Sequence, residues 1–447
     1  MESAPALPPA AGPSDRRPGG LRARLRGHLA GAQNRNAYYL MGNAVVGAAA
    51  GVLFWLILAR LLQLPPSQVG LGYTVVALGT IVGLVAKGGF DTAIVRLVPA
   101  TSREGGRRLL RLGVLLGCTA ALLLTAALAL ASALAGVGPK AATSGWILVA
   151  AMGMLLVVTW LEDAYFLAEG DARFSLHRNL VFSAARLVLP VPLVLWGAPQ
   201  AIALAWALAL LCSALAALAF ARNVPPREGG VPDGRAFVRS AARNVTGSAA
   251  EFLPGLLLAP IVLALAGPAA AAYFGIAWTA ASILFLMSAS VSRSALAQMV
   301  REPAAEAACL RRAVRQNLAV LGPLAVAGAA VGPFALRLFG PGYAANGGPV
   351  LVLLCLSVAF VAPAYIHLAW LRAHERPWGL VLFPAAMVAA LLVLTPALEA
   401  RLGLVGVAVA WLLANAPFGA WGAWRLRHAM KEVKDAPAPV RGPAHLE

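Results

Sequence analysis

Apolar residues run along this chain in long blocks separated by short polar punctuation, and the block length decides the fold class. A bilayer-spanning helix needs roughly 20 mostly apolar residues, whereas a transmembrane barrel shows alternating strands of about ten. Uncharged apolar blocks of helical length cover Leu61 to Ala86, Leu112 to Pro139 and Ala141 to Leu161, preceded by one at Asn36 to Ala59. The run after Leu187 is interrupted at Gly197-Ala198-Pro199-Gln200, which predicts a fifth helix from near Asn179 and a sixth from near Ala201. The stretch after Glu251 divides at Gly267-Pro268 into a seventh and an eighth. Gln316 to Leu336, Phe339 to Leu371, Pro377 to Leu398 and Leu402 to Trp424 complete a set of about twelve. The expected fold is an all-α integral membrane protein.

Composition agrees and excludes a soluble reading. Hydrophobic residues make up 60% of the 447 and charged residues only 12%, against about 25% charged in soluble proteins. The four cysteines have no metal-ligand or disulfide-framework spacing. The first 35 residues are rich in Pro, Ala and Arg without an apolar core, and read as a tail rather than a cleavable signal.

The basic residues orient the array. With the N-terminus in the cytoplasm, 31 of the 36 Lys and Arg fall in the two tails or in cytoplasmic connections. The outer side holds only Arg60, Lys140, Arg337 and Arg401, and Arg186 lies within a helix. This is the positive-inside pattern, and it predicts both termini in the cytoplasm. It also accounts for the formal charge of +18 through anionic lipid headgroups rather than nucleic acid.

The chain also reads as two halves. Leu71 to Val98 (LGYTVVALGTIVGLVAKGGFDTAIVRLV) and Tyr273 to Val300 (YFGIAWTAASILFLMSASVSRSALAQMV) share an aromatic-Gly start, a small-residue helix and an amphipathic exit with Arg96 or Arg293. The longest polar connection, Arg222 to Arg243, falls between the sixth and seventh helices. The predicted organisation is a cytoplasmic basic tail (1–36), an N-lobe of six helices (37–221), an inter-lobe linker (222–243), a C-lobe of six helices (244–426) and a second tail (427–447). Duplicated bundles of this kind place substrate between the lobes and work by rocking of one against the other. There is no P-loop and no sizeable outer loop or soluble domain, so neither an ATP site nor an enzyme is expected.

Few residues within the spans carry chemistry. Arg186 lies about seven residues into the predicted fifth helix, where facing lipid costs ~2.5 kcal/mol or more. It either contacts phosphate through its planar fork or snorkels its head to the cytoplasmic surface. Glu251, ahead of Pro254 and Pro260, either carries a proton or cation through a transport cycle or pairs with Arg186. Asp91 follows Lys87 by four residues, so a local ion pair competes with an ion-coupling role. Asn43 in the first helix is a candidate for bonding substrate or a neighbouring backbone. His367 reads as a core histidine, and Trp160 to Tyr165 ends the fourth helix with an aromatic belt and two acids.

Several stretches resemble the Wzx-type polysaccharide flippases. The likeness is carried by Arg60, Gly70 to Tyr73, Gly89 and Arg96 in the opening pair of helices. Phe166 to Phe174 (FLAEGDARF) and Leu336 to Leu354 (LRLFGPGYAANGGPVLVLL) add to it. The resemblance covers about residues 37 to 426. It implies a MATE-like fold of the multidrug/oligosaccharidyl-lipid/polysaccharide (MOP) transporter superfamily in a bacterial plasma membrane. It further implies transfer of a polyprenyl-pyrophosphate-linked oligosaccharide to the outer leaflet for polysaccharide biosynthesis. Arg186 is then the first choice for the pyrophosphate, with Arg178 and Arg96 assisting at the cytoplasmic rim. The implied partners are the lipid-linked oligosaccharide, the bilayer and glycan-assembly membrane enzymes, and no cofactor is implied. Coupling to a proton gradient, a sodium gradient or the membrane potential stays open. The alternatives are a multidrug or cation antiporter of the same fold and, less favoured, a membrane-embedded polymerase or ligase.

Overall fold

The computed structural model describes residues 43, 46–135, 143–171, 173–198, 200–221, 228–230, 233–301, 303–374 and 376–435. Among them every extended element is helical, and the β feature is one isolated bridge between Thr101 and Gly230. Helix α1 (Val46–Leu61) ends in a π-helical turn, Ile57–Leu61. It is followed by α2 (Pro66–Ala86), the short α3 (Phe90–Leu97), α4 (Arg103–Ala135) and α5 (Thr143–Ala168). Next come α6 (Arg173–Val188), its short continuation α7 (Pro190–Leu195) and α8 (Ala201–Ala221). The remaining helices are α9 (Gly234–Arg301), α10 (Glu306–Ala335), α11 (Pro341–Ala373), α12 (Pro377–Leu402) and α13 (Leu404–Asp435).

Ten of these segments are long and apolar enough to cross a bilayer, and Val46–Leu61 is a shorter apolar helix beside them. One of the ten, Phe252–Val300, is two spans, because Gly267 adopts φ 82° and ψ 178° inside α9. That conformation suits glycine, and Pro268 starts the second arm where its missing N–H costs nothing. Twelve apolar helices result, as the hydropathy pattern predicts.

Several helices begin earlier than their apolar blocks: α4 at Arg103, α6 at Arg173, α10 at Glu306 and α9 at Gly234. Their opening turns are amphipathic and basic, so the helix continues past the hydrocarbon into the headgroup layer. The first arm of α9, residues 234–266, is about 50 Å long at 1.5 Å per residue and exceeds the ~30 Å apolar core. Its opening turns dock on the N-terminal half: Phe237 is fully buried and stacks on Phe90 at 5.6 Å, and Ala241 is buried beside it.

Buried apolar residues form two clusters. One gathers α2, α3, α4, α5 and α8 with Phe237 and Ala241, and the other gathers α9 to α13 with Phe54, Trp55 and Leu58 of α1. The halves meet most closely where α2 crosses the second arm of α9, the two helices that hold the internal sequence repeat. A methyl on Gly70 would sit 1.7 Å from the Pro268 carbonyl oxygen, and one on Gly275 would sit 2.6 Å from the Tyr73 ring. Further along α2, Gly79 and Gly83 face Met152 and Leu156 of α5 instead. A second close approach, of Gly89 to the Ala241 carbonyl of the first arm, lies past the end of α2, and the contact with the second arm lies at the beginning of both helices. Arg60 adds a second tie there, donating from Nε to the Leu338 carbonyl at 2.8 Å.

Candidate functional site

The polar residues of the first half converge on the seam between α1 and α6. Asn179, Ser183 and Arg186 stand at i, i+4 and i+7 on α6 and so share one face. Opposite them stand Asn43, ahead of α1, and Gly47 and Gly51 of α1, the two glycines offering backbone where side chains would otherwise be. Asn179 Nδ2 donates to the Asn43 carbonyl at 3.1 Å, and Arg186 Nη2 donates to the Gly47 carbonyl at 2.6 Å. A methyl on Gly47 would lie 3.5 Å from Asn179 Nδ2, and one on Gly51 3.9 Å from Arg186 Nη2, both ordinary van der Waals contacts.

The seam is not satisfied from within. Asn43 Oδ1, Ser183 Oγ and Arg186 Nε are buried, each without a hydrogen-bond partner among the described residues. An unmade bond at a buried polar group costs about 1–3 kcal/mol, so three along one seam is a concentration of unmet bonding capacity. Arg186 is 4% exposed and forms no ion pair among the described residues. Its guanidinium instead rests over Phe182 at 4.8 Å and Trp206 of α8 at 5.3 Å. Trp206 stands 5.0 Å from Phe54 and 6.2 Å from Trp55, and Trp55 stands 5.3 Å from Tyr73. An unbroken aromatic path thus runs from the arginine to the close contact between α2 and α9.

The early start of α6 lengthens the helix ahead of Arg186, the added turns lying in the headgroup layer. Thirteen residues separate it from Arg173, about 20 Å along the axis, rather than the ~10 Å implied by a start at Asn179. The head also points across to α1 instead of along the helix to the cytoplasmic surface. Snorkelling is therefore not what this arginine does.

The other sequence-predicted residues lie apart from the seam. Arg178 is buried, but its donors are engaged: Nε and Nη2 bind the two Asp163 oxygens at 3.0 and 2.5 Å, and Nη1 donates to Ser213 at 2.8 Å. Arg96 is exposed in the last turn of α3. Asp91 accepts from Lys87 Nζ at 2.5 Å, the i,i+4 pair that the spacing suggested, and Lys87 also lies over the Trp160 ring. Glu251 falls within α9, and its side chain lies outside the described residues, as does any pairing with Arg186. His367 is buried, stacked on Trp370 at 5.7 Å, with no hydrogen-bond partner for Nδ1 among the described residues. No group of three or more His, Cys, Asp or Glu among the described residues is arranged to hold a metal.

Sequence reading missed Asn179, Ser183 and Gly47, and marked Glu162 only as one of the two acids of Trp160 to Tyr165. The spacing of polar residues on α6 was a usable signal, whereas Gly47 gains meaning only from the helix it faces. Glu162 is 5% exposed and its Oε2 has no partner among the described residues. It sits within the Trp160 to Tyr165 stretch beside the Arg178–Asp163 pair.

No protein-family model matches the sequence, and no curated protein sequence matches it. Solved structures do match in fold. A multidrug resistance MATE family transporter of the MOP superfamily, in an inward-facing conformation, superposes with a TM-score of 0.63 at 14% identity. The match covers 88% of this chain and 100% of that one. The lipid II flippase MurJ, in an inward closed conformation, superposes at 0.67 with 12% identity over 89% of each chain. A MOP superfamily transporter from Pyrococcus furiosus, for which reverse polarity of the binding pocket suggests a different function, superposes at 0.58. Its identity is 15%, over 90% of this chain and 97% of that one. At these identities the likeness is one of fold. The chain is a multi-pass membrane protein with the MATE/MurJ-like fold of MOP superfamily transporters and flippases.

Proposed function

We propose that this protein is a flippase that carries a polyprenyl-pyrophosphate-linked oligosaccharide from the cytoplasmic to the outer leaflet. The observation that carries the proposal is Arg186, a buried guanidinium within a predicted span, with no acid partner among the described residues and Nε–H unused among them. A cation held this way is set for an anion that arrives from outside the fold, because charge-assisted bonds to phosphate oxygens are about twice as strong as neutral ones. The rest of the seam matches the remainder of such a head group. The Ser183 hydroxyl can donate to a phosphate oxygen, and Asn43 Oδ1 can accept from a sugar hydroxyl. The polyprenyl tail needs no site, since it stays in the bilayer while the head crosses.

Alternating access supplies the mechanism. The close contact of Gly70 with Pro268 and of Tyr73 with Gly275 lies at the beginnings of α2 and of the second arm of α9. With the N-terminus in the cytoplasm those beginnings are external, so the present state is sealed on the outside. Transfer then requires α2 and α9 to part there. The aromatic path from Trp206 through Trp55 to Tyr73 links the seam to that seal, so occupancy at Arg186 bears on the contact that has to open.

A cation exporter of the same fold is disfavoured by a buried positive charge at the centre of the seam. The two readings separate in a binding measurement on purified protein in nanodiscs. Undecaprenyl pyrophosphate should perturb tryptophan fluorescence, given Trp206 at the guanidinium, and Arg186→Met should abolish the response. A response to ethidium and none to undecaprenyl pyrophosphate would refute the flippase reading.

A further inference from the structure

A groove outside the seam lies where α4 meets the start of α9. It encloses about 430 Å³ and is lined by Arg108, Leu109, Arg111, Leu112 and Leu115 of α4 with Gly234 of α9. Positions 108, 111, 112 and 115 form one helical stripe, and its chemistry changes along its length. The end near the start of α4 is cationic, with Arg108 and Arg111 both exposed. About 10 Å further on, at 1.5 Å per residue, Leu115 is 65% exposed. Neither arginine forms an ion pair among the described residues. Arg111 Nε makes one long bond of 3.4 Å to the Arg107 carbonyl. Arg235, next to Gly234, and Arg239 add exposed positive charge on the α9 side. The acids nearby are the exposed Glu104, four residues before Arg108, and Asp233, whose Oδ1 already accepts the Arg235 backbone N–H at 2.8 Å.

We propose that this groove seats an anionic glycerophospholipid of the cytoplasmic leaflet, its phosphate between Arg108 and Arg111 and an acyl chain along Leu112 and Leu115. The cation-to-leucine order along the stripe matches the polarity of such a lipid. A soluble phosphate would leave the leucines unused, and a zwitterionic lipid would bring its own cation, along with its phosphate, against the two arginines. The seat also has a structural consequence. Gly234 opens the helix that tucks Phe237 against Gly113 and the rest of the N-terminal half, so the bound lipid bridges α4 to the inter-lobe helix and holds it docked. The site depends on the membrane orientation, and it stands whether or not the flippase reading does.

The test is native mass spectrometry of the full-length protein in detergent, titrated with dioleoyl phosphatidylglycerol or dioleoyl phosphatidylcholine. The native protein should hold one phosphatidylglycerol more tightly than any phosphatidylcholine. Each basic group near an anionic surface contributes about a fivefold factor, so Arg108→Ala with Arg111→Ala should weaken that adduct roughly 25-fold. Arg108→Lys with Arg111→Lys should retain it. Arg311→Ala with Arg312→Ala, an exposed pair on α10, should leave it unchanged. Equal binding of the two lipids by the native protein, an unaffected alanine pair, or an equal loss in the α10 control would each overturn the site. A variant that no longer folds would show as a shifted charge-state distribution, and the lysine pair then decides the question.

Discussion

Arg178 and Arg186 lie eight residues apart on one helix, are about equally buried, and should respond oppositely to removal of charge. Arg186→Met deletes a charge-assisted bond to the Gly47 carbonyl, worth about 1.5–3 kcal/mol, and two ring contacts of about 0.5–2 kcal/mol each. It also relieves a mid-membrane arginine penalty of about 2.5–3.5 kcal/mol. The losses sum to about 2.5–7 kcal/mol against a relief of about 2.5–3.5, and the account commits to the low end of the losses, where the folded state changes by no more than about 1 kcal/mol. Arg178→Met instead strands Asp163. Breaking a buried pair costs about 3–5 kcal/mol, and because Asp163 keeps 27% of its side-chain surface the lower figure applies. The assay is thermal unfolding of both purified variants in the same nanodiscs, read beside lipid-linked oligosaccharide transfer. The account requires Arg186→Met to unfold near the native temperature with transfer lost, and Arg178→Met to unfold clearly lower. Arg186→Met destabilised as strongly as Arg178→Met would show that the arginine is a structural post, and the reasoning would fail.

Other predictions follow from single contacts. Gly70→Leu presses on the Pro268 backbone, which cannot yield as a side-chain tip would, and should cost about 1–3 kcal/mol in the sealed state. Its signature would be new labelling of a cysteine placed at Tyr73 by a membrane-impermeant maleimide added outside. Unchanged labelling would mean that the contact is not the seal. Asp91→Asn removes only the partly exposed pair with Lys87, so it should shift stability by less than about 1 kcal/mol and leave transfer intact. Loss of transfer with normal stability would restore Asp91 as a coupling residue. Alkaline phosphatase fused after Gly197 should be active and the same reporter fused after Asp435 inactive, and the reverse pattern would invert the orientation.

The break at Gly267-Pro268 was legible because a glycine at positive φ followed by proline ends a helix by local sterics alone. Span count was legible for a similar reason, as apolar block length meets a fixed bilayer thickness. Helix starts were not, since Arg103, Arg173, Glu306 and Gly234 open basic amphipathic turns that hydropathy scores as loop. This lengthened α6 ahead of Arg186, which stands in its last turn. The Lys87–Asp91 pair follows from i,i+4 spacing, whereas the Arg178–Asp163–Ser213 set spans three helices and no local pattern announces it. Gly47 is the clearest case: an unremarkable glycine in sequence, it matters because α6 brings Arg186 to its carbonyl.

The central claim is that a buried arginine with no acid partner among the described residues serves the head group of a lipid-linked glycan. Its most direct test is leaflet-resolved analysis of polyprenyl-linked oligosaccharides in the source cells after deletion of the gene and complementation with the native chain or Arg186→Met. The account predicts a completed glycan accumulating on the cytoplasmic leaflet in the deletion, cleared by the native chain and not by Arg186→Met expressed at equal level. Normal glycan export in the deletion, or full clearance by Arg186→Met, would contradict it.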